Sequence, residues 1–327
     1  MLTGGDTYWD EWLERKEEVR KKLANFLNAD TEELAFTLNT SHGMTQVAAM
    51  LDGKGEVITM HDEFPSSTFP WLHLGYKLHF VKPVEGIYRL EDIEKAITPE
   101  TRILVSSYVQ YNTGFRQDLE KLSQFCTENN LIFVINATQA IGSMPINLKA
   151  IKADFVVFTC LKWTLAGYGI GGLYINKKWL GHHKLPAAGW RSDAHPELMD
   201  NQRPNLKTDA SETEVGCPHF PCIFALGGAL ELFNEIGQVN VFNRIMELNS
   251  YLEKSLNETN LQVTLILETK HRSGITIIKS NNAKEIVKKL YERKIFVSAR
   301  GEGIRVSVHI FNNFEDIDQL VTALVEI

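Results

Sequence analysis

The chain has no run of 18 consecutive apolar residues, no basic segment leading into an apolar one at its start, no internal repeat and no coiled-coil heptad. The first lack leaves no candidate for a membrane-spanning helix, and the second none for a secretory leader. The others set aside solenoid and coiled-coil architectures. Positive charge is also short. Lys and Arg number 34 against 41 Asp and Glu, a formal net charge of -7. That sign disfavours nucleic acid or an anionic membrane as the main partner. Cysteine is scarce: Cys126, Cys160, Cys217 and Cys222 form neither a ligand-spaced cluster nor a small-domain disulfide framework. A reducing cytoplasm is the expected home. His182 with His183, or His309, finds no third ligand at a convincing spacing, so no metal is expected.

What is present is an ordinary globular composition, 44% apolar and 23% charged over 327 residues, long enough for a substantial core and two domains. Apolar runs at 34–38, 56–60, 77–81, 101–108, 131–135, 155–158 and 173–175 read as strands. Between them lie helical stretches at 9–27, 44–51, 90–96 and 118–126, with another beginning near Ser67. Such alternation predicts an α/β fold, a mostly parallel sheet between helical layers. Residues 177–203 read as a long, partly ordered loop. After helices at 223–233 and 239–256, short strands at 264–266, 274–278, 296–299 and 304–308 alternate with helices at 283–291 and 314–324, as in a smaller α+β unit. The expected division is a large domain over 1–235 and a small one over 236–327, with the first helix packing on the small domain.

Lys162 is the residue to explain. It follows an apolar strand, lies between Leu161 and Trp163, and precedes a glycine-rich segment, Gly167, Gly169, Gly171 and Gly172. Polar residues at the C-terminal ends of parallel strands sit where open α/β sheets bind ligands. Desolvation there lowers a lysine's pKa and makes its amine a nucleophile toward an aldehyde; the plainer reading is a surface lysine. A second turn, Asn39-Thr40-Ser41-His42-Gly43, passes from strand to helix and offers backbone N–H groups to a phosphate, or merely an N-cap at Thr40 or Ser41. Phe64, after the strand at 56–60, is an aromatic for the core or for a flat ligand.

Read in order, these segments resemble the class V branch of the fold-type-I pyridoxal-phosphate enzymes. That pattern is a strand ending in Asp, then Ala-x-Gln-x-x-Gly, then a strand ending in Ser-x-His-Lys and a glycine-rich turn. Here it reads Asn136, Ala137, Gln139, Gly142, then Thr159, Leu161, Lys162 and Gly169–Gly172, with further likeness at 63–71, 114–119 and 305–318. The resemblance implies a three-layer αβα domain with a seven-stranded sheet. Its cofactor would be pyridoxal 5'-phosphate, carried by Lys162 as a Schiff base. Ser41 and His42 would lie at its phosphate, with Thr159. Phe64 would stack on the ring, Gln139 and either Tyr111 or Asn112 would meet its hydroxyl, and Asn136 its ring nitrogen. Arg305 would hold a substrate carboxylate. Cys217, in Glu214-Val215-Gly216-Cys217-Pro218, would reach the phosphate of a neighbouring subunit, which makes a homodimer the expected assembly. Relatives usually carry an extra N-terminal segment.

The implied activity is amino-acid chemistry, foremost transamination, with epimerisation, elimination or Cβ–Cγ cleavage also open, as is a regulatory protein that keeps the cofactor. Two departures bear on it. Asn136 brings no charge where an Asp would keep the ring nitrogen protonated, and Leu161 makes no polar contact. Both point to slower or altered chemistry. Residues 270–327 contain no cysteine, so the mobile-loop cysteine of a persulfide-forming desulfurase is missing.

Overall fold

The computed structural model describes residues 5–182, 184–264, 268–301 and 303–327. Helix α1 (Trp9–Leu27) carries Asp10 and Glu11 in its first turn, where the helix dipole favours negative charge. It buries Val19, Leu23, Phe26 and Leu27 on one side and ends in a left-handed Asn28, φ 48°. Helix α2 (Thr40–Met50) starts earlier than its apolar pattern predicts. Asn39 is the N-cap, its side chain accepting from the His42 N–H at 2.9 Å, so neither Thr40 nor Ser41 is the cap. The other helices are α3 (Phe69–His73), α4 (Leu90–Glu94), α5 (Leu119–Glu128), α6 (Phe220–Ile236), α7 (Gln238–Asn257), α8 (Ala283–Glu292) and α9 (Phe314–Glu326).

Seven strands form the large sheet: β1 (Leu34–Thr37), β2 (Glu56–Met60), β3 (Leu78–Val81), β4 (Thr101–Ser107), β5 (Ile132–Asn136), β6 (Phe155–Thr159) and β7 (Gly171–Ile175). Their order is β1-β7-β6-β5-β4-β2-β3. Strands β2 to β6 are parallel, and β7 runs antiparallel to both β6 and β1. This is the mostly parallel seven-stranded α/β sheet that the sequence predicts. Every residue of β6 and β7 is buried. The two strands meet closely because Gly172 faces Phe158: a Cβ there would lie 2.2 Å from the phenyl ring.

Four strands form the small antiparallel sheet, in the order β10-β11-β9-β8: β8 (Val263–Thr264), β9 (Ile275–Lys279), β10 (Ser298–Arg300) and β11 (Gly303–Ser307). The strand expected at 264–266 is described only as far as Thr264; residues 265 and 266 lie outside the described residues. The strand expected at 296–299 begins at Ser298 instead, with Phe296 73% exposed. A continuous apolar cluster joins this sheet to the large one through α1, α6 and α7. Phe26 of α1 packs edge-on against Phe233 of α6, ring centroids 6.0 Å apart. Arg20 and Lys16 of α1 clamp the part-buried Glu214 at 2.6 and 2.7 Å. At Gly237 the chain bends by 80° between α6 and α7. Among the described residues no single helix is long and apolar enough to cross a membrane.

Candidate active site

Because β4, β5 and β6 run parallel, their C-terminal ends open on one edge, presenting Ser107, Asn136 and Thr159 side by side. Ser107 and Asn136 are direct cross-strand partners. With the start of α2 and the loop after β6, these ends enclose a cavity of about 200 Å³.

One end of the cavity suits an anion. Asn39 occupies the His42 N–H with its side chain and the Gly43 N–H with its carbonyl, which leaves the N–H groups of Thr40 and Ser41 without intrahelical partners. Both residues line the cavity, with Thr159. A phosphate there meets two backbone donors, the Ser41 hydroxyl and the positive end of α2. The His42 ring takes no part, contrary to its expected place. It does not line the cavity; it accepts from the Leu38 N–H and contacts Gln46 at 2.9 Å, and burial pushes its pKa down.

The amine end is Lys162. Its Nζ lies 5.7 Å from the centroid of Phe64, and no ion pair to it forms among the described residues. Burial lowers its pKa to about 8, helped by the positive charges of Arg305 and Arg300. A neutral amine is therefore accessible near physiological pH. The loop is held in place by Gly142, φ 92°, against which the Trp163–Thr164 backbone packs so closely that a Cβ would meet it at 2.5 Å. That contact is the physical reason for a glycine three residues after Gln139. Trp163 also fixes Gln139: its indole N–H donates to Gln139 Oε1 at 3.0 Å, so the amide turns its NH₂ end to the cavity as a donor.

At the rim, Tyr111 lines the cavity with its ring edge-on to Phe64, 5.2 Å between centroids. Asn112 does not line it; it lies against Gly301, its Oδ1 buried without a partner. Of the two residues in register for a ring hydroxyl, the structure brings Tyr111. Arg305 on β11 donates from Nη1 to the Tyr111 carbonyl at 2.8 Å, and its buried Nε has no partner. Arg300 and Arg305 share a face of the β10–β11 hairpin, since Arg305 pairs with Ser298 and Arg300 lies two residues on. Neither arginine forms an ion pair among the described residues. Cys217 is exposed and does not line this chain's cavity. His309 is structural: Nε2–H donates to the Trp163 carbonyl at 3.0 Å and Nδ1 accepts from the Ile310 N–H. No His, Cys, Asp and Glu cluster that could hold a metal occurs among the described residues.

Sequence reasoning missed Asn39, Thr138 and the buried Glu63. Thr138 donates its N–H to Asn136 Oδ1 and shares a hydroxyl contact with Thr40 at 2.6 Å. Their signal was position alone: each lies within three residues of the end of a strand, β1 for Asn39, β5 for Thr138 and β2 for Glu63.

An α/β enzyme that captures a phosphorylated aldehyde on a lysine is what this arrangement defines. The comparisons agree. The aminotransferase class-V family matches residues 6–320, and the chain belongs to it. An uncharacterized aminotransferase, YcbU, of Bacillus subtilis (strain 168) is 24% identical over 95% of this chain and 83% of its own length. A probable cysteine desulfurase of Pyrococcus abyssi (strain GE5 / Orsay) is 27% identical over 96% and 83%. Among solved structures, a C-DES mutant with glycine covalently linked to its PLP cofactor superposes with a TM-score of 0.89 at 21% identity, covering 99% of this chain and 88% of that one.

The cofactor is pyridoxal phosphate, and the residues present fit it. The amine, the N-terminus of α2, the aromatic ring of Phe64 and the oriented amide of Gln139 all line one cavity. Bound there, the cofactor draws the electrons of a substrate's Cα–H bond toward its ring.

Proposed function

We propose that this protein is a pyridoxal-phosphate-dependent lyase that removes a substituent from Cβ of an amino acid. The observation that carries the reading is Lys162, an amine lowered to about 8 with no carboxylate on it, lining the same cavity as the anion-binding turn. Arg305, which does not line the cavity itself but bonds the carbonyl of cavity-lining Tyr111, turns its guanidinium to the substrate carboxylate, a charge-assisted bond that fixes which Cα bond points at Lys162. Lys162, once released by the incoming amine, takes the Cα proton. The Cα–H electron pair becomes the new Cα–Cβ bond, and the Cβ substituent leaves with its own bonding pair. Tyr111, at the rim beside Phe64, protonates it. Water then releases ammonia and a 2-oxo acid, with no net oxidation.

Elimination is favoured over the other chemistries for two reasons. Tyr111 is the one titratable side chain besides Lys162 among the described residues on the cavity wall, and a phenol beside Phe64 suits protonation of a departing Cβ substituent. Carbon–sulfur chemistry also recurs among the relatives: a cystine C–S lyase is among the solved neighbours, and one relative is named a probable cysteine desulfurase. Without a cysteine in 270–327, a departing sulfur species leaves free rather than on the enzyme. Transamination is the second reading, since Lys162 could equally return the proton to the cofactor and the family takes its name from that reaction.

The test is reconstitution with pyridoxal phosphate, borohydride reduction and peptide mapping, followed by a panel of amino acids with and without a leaving group on Cβ. An adduct on Lys162 and release of ammonia and pyruvate without any 2-oxo acid acceptor are expected. Turnover only when an acceptor is supplied replaces this reading with transamination. No adduct on Lys162 ends both.

A further inference from the structure

Glu63 is a buried carboxylate with no cation. It follows β2, and no Lys, Arg or His among the described residues pairs with it. Three hydrogen bonds reach it instead, from the Ser107 N–H at 2.6 Å, the Ser107 hydroxyl and Gln110 Nε2 at 2.9 Å, and the Ser67 hydroxyl also favours its charged form. Burial pushes its pKa up, and these donors pull it only part of the way back, so without a cation the net direction is up. Tyr88, which feels the charge of Glu63, donates to Asp62 at 3.1 Å, and His61 is paired with Asp62 rather than with Glu63. A buried anion is costly unless a cation compensates it.

The Ser67 hydroxyl shows where that cation belongs. It accepts from Asn136 Nδ2 at 2.9 Å, which leaves its own proton to turn toward Glu63, whose charge it favours. Asn136 cannot turn over, because its Oδ1 takes the Thr138 N–H at 3.0 Å. A directed chain therefore runs from Asn136 through Ser67 to Glu63, and Ser107, bonded to the same carboxylate, lines the cavity beside Asn136.

We infer that Glu63 is a positioning residue that acts through Ser67 and Asn136 to keep the cofactor's ring nitrogen protonated, replacing from a distance the carboxylate that Asn136 lacks. Resting as it does on pyridoxal phosphate occupying this cavity, the inference makes the ring N–H⁺ the missing counterion of Glu63. It also reverses the expectation that Asn136 costs this chain its electron sink.

The experiment uses pyridoxal phosphate labelled with ¹⁵N in the ring, bound to the wild type, Glu63→Gln, Ser67→Ala and the double variant Glu63→Gln/Asn136→Asp. The ¹⁵N shift separates protonated from free pyridine, whatever the turnover. The wild type is expected protonated at neutral pH. Glu63→Gln and Ser67→Ala should each lower the pH midpoint of that signal by about one unit, and the double variant should restore it. Glu63→Gln keeps the acceptor that Ser107 and Gln110 use, and Ser67→Ala leaves the carboxylate in place, so a folding failure in one leaves the other. A free-base ring in the wild type, or variants with the wild-type midpoint, overturns the inference while leaving the cofactor assignment intact. Failure of the labelled cofactor to bind at all overturns both.

Discussion

The floor and the rim of the cavity are built on opposite principles. At the floor the side chains of Asn136, Ser67, Glu63 and Ser107 bond to one another behind the strand ends, and Asn136, Ser67 and Ser107 are buried. At the rim Lys162, and beyond the lining Arg305 and Arg300 whose charges act on it, carry positive charge with no ion-pair partner among the described residues, and Phe64 is 44% exposed. A saturated floor holds its geometry before anything binds, which is what a transition-state-stabilising environment needs. An unsaturated rim keeps its strongest donors free for a ligand. The rim's repulsion is also useful, since it is part of what holds Lys162 near neutrality.

The largest break in that comparison is loss of the amine. Lys162→Ala should end borohydride trapping and lower kcat at least about a thousandfold, within the range for removing a positioned proton-transfer group, while the apo protein keeps its melting temperature. Unchanged kcat in this variant would move the chemistry elsewhere in the cavity. Next comes the floor's rigidity. Gly142→Ala places a methyl 2.5 Å from the Trp163 backbone at φ 92°, a combination of overpacking and backbone strain that costs about 2–4 kcal/mol. Thermal unfolding measures that loss. A weaker hold on the cofactor should accompany it, because the Lys162 loop must shift; retention of wild-type affinity would show that the loop is set from elsewhere.

The amine, the anion end and the aromatic wall were legible in the sequence because each depends on a few consecutive residues after a strand. Lys162, Ser41, Phe64, Gln139 and Thr159 all face the cavity for that reason. His42 was misplaced because a helix N-terminus fixes which residues follow the cap but not the rotamer of the third one, which folds back onto Leu38. Tyr111 and Asn112 could not be separated, since the choice is made by the β10–β11 hairpin arriving 194 residues later in the chain. The Glu63 relay joins three strand ends, and neither spacing nor composition encodes which hydroxyl lies between two side chains.

Arg305 sharpens the rim side. Arg305→Leu removes a charge-assisted bond to the substrate carboxylate, about 1.5–3 kcal/mol, so kcat/KM should fall roughly tenfold to a hundredfold. Arg305→Lys should recover part of it. An amine substrate without a carboxylate should be indifferent to both, and equal losses for the two substrates would show that Arg305 only supports the loop at Tyr111.

The smallest effect probes the rim's repulsion. Cofactor capture requires neutral Lys162, so its rate should rise with pH through about 8 and then level. Arg300 pushes that midpoint down; removing its positive charge raises the amine's pKa, and the whole curve moves to higher pH. In Arg300→Ala, capture at pH 7 is therefore slower and capture above the midpoint unchanged. Arg300 is exposed and screened by water and salt, which limits the shift to a few tenths of a unit. Arg300→Glu should move it further in the same direction, and 1 M salt, where the Debye length falls to about 3 Å, should bring all three curves together. Stopped-flow absorbance of pyridoxal phosphate binding across pH measures this directly. A midpoint that ignores both substitutions would leave burial alone to account for the lowered amine.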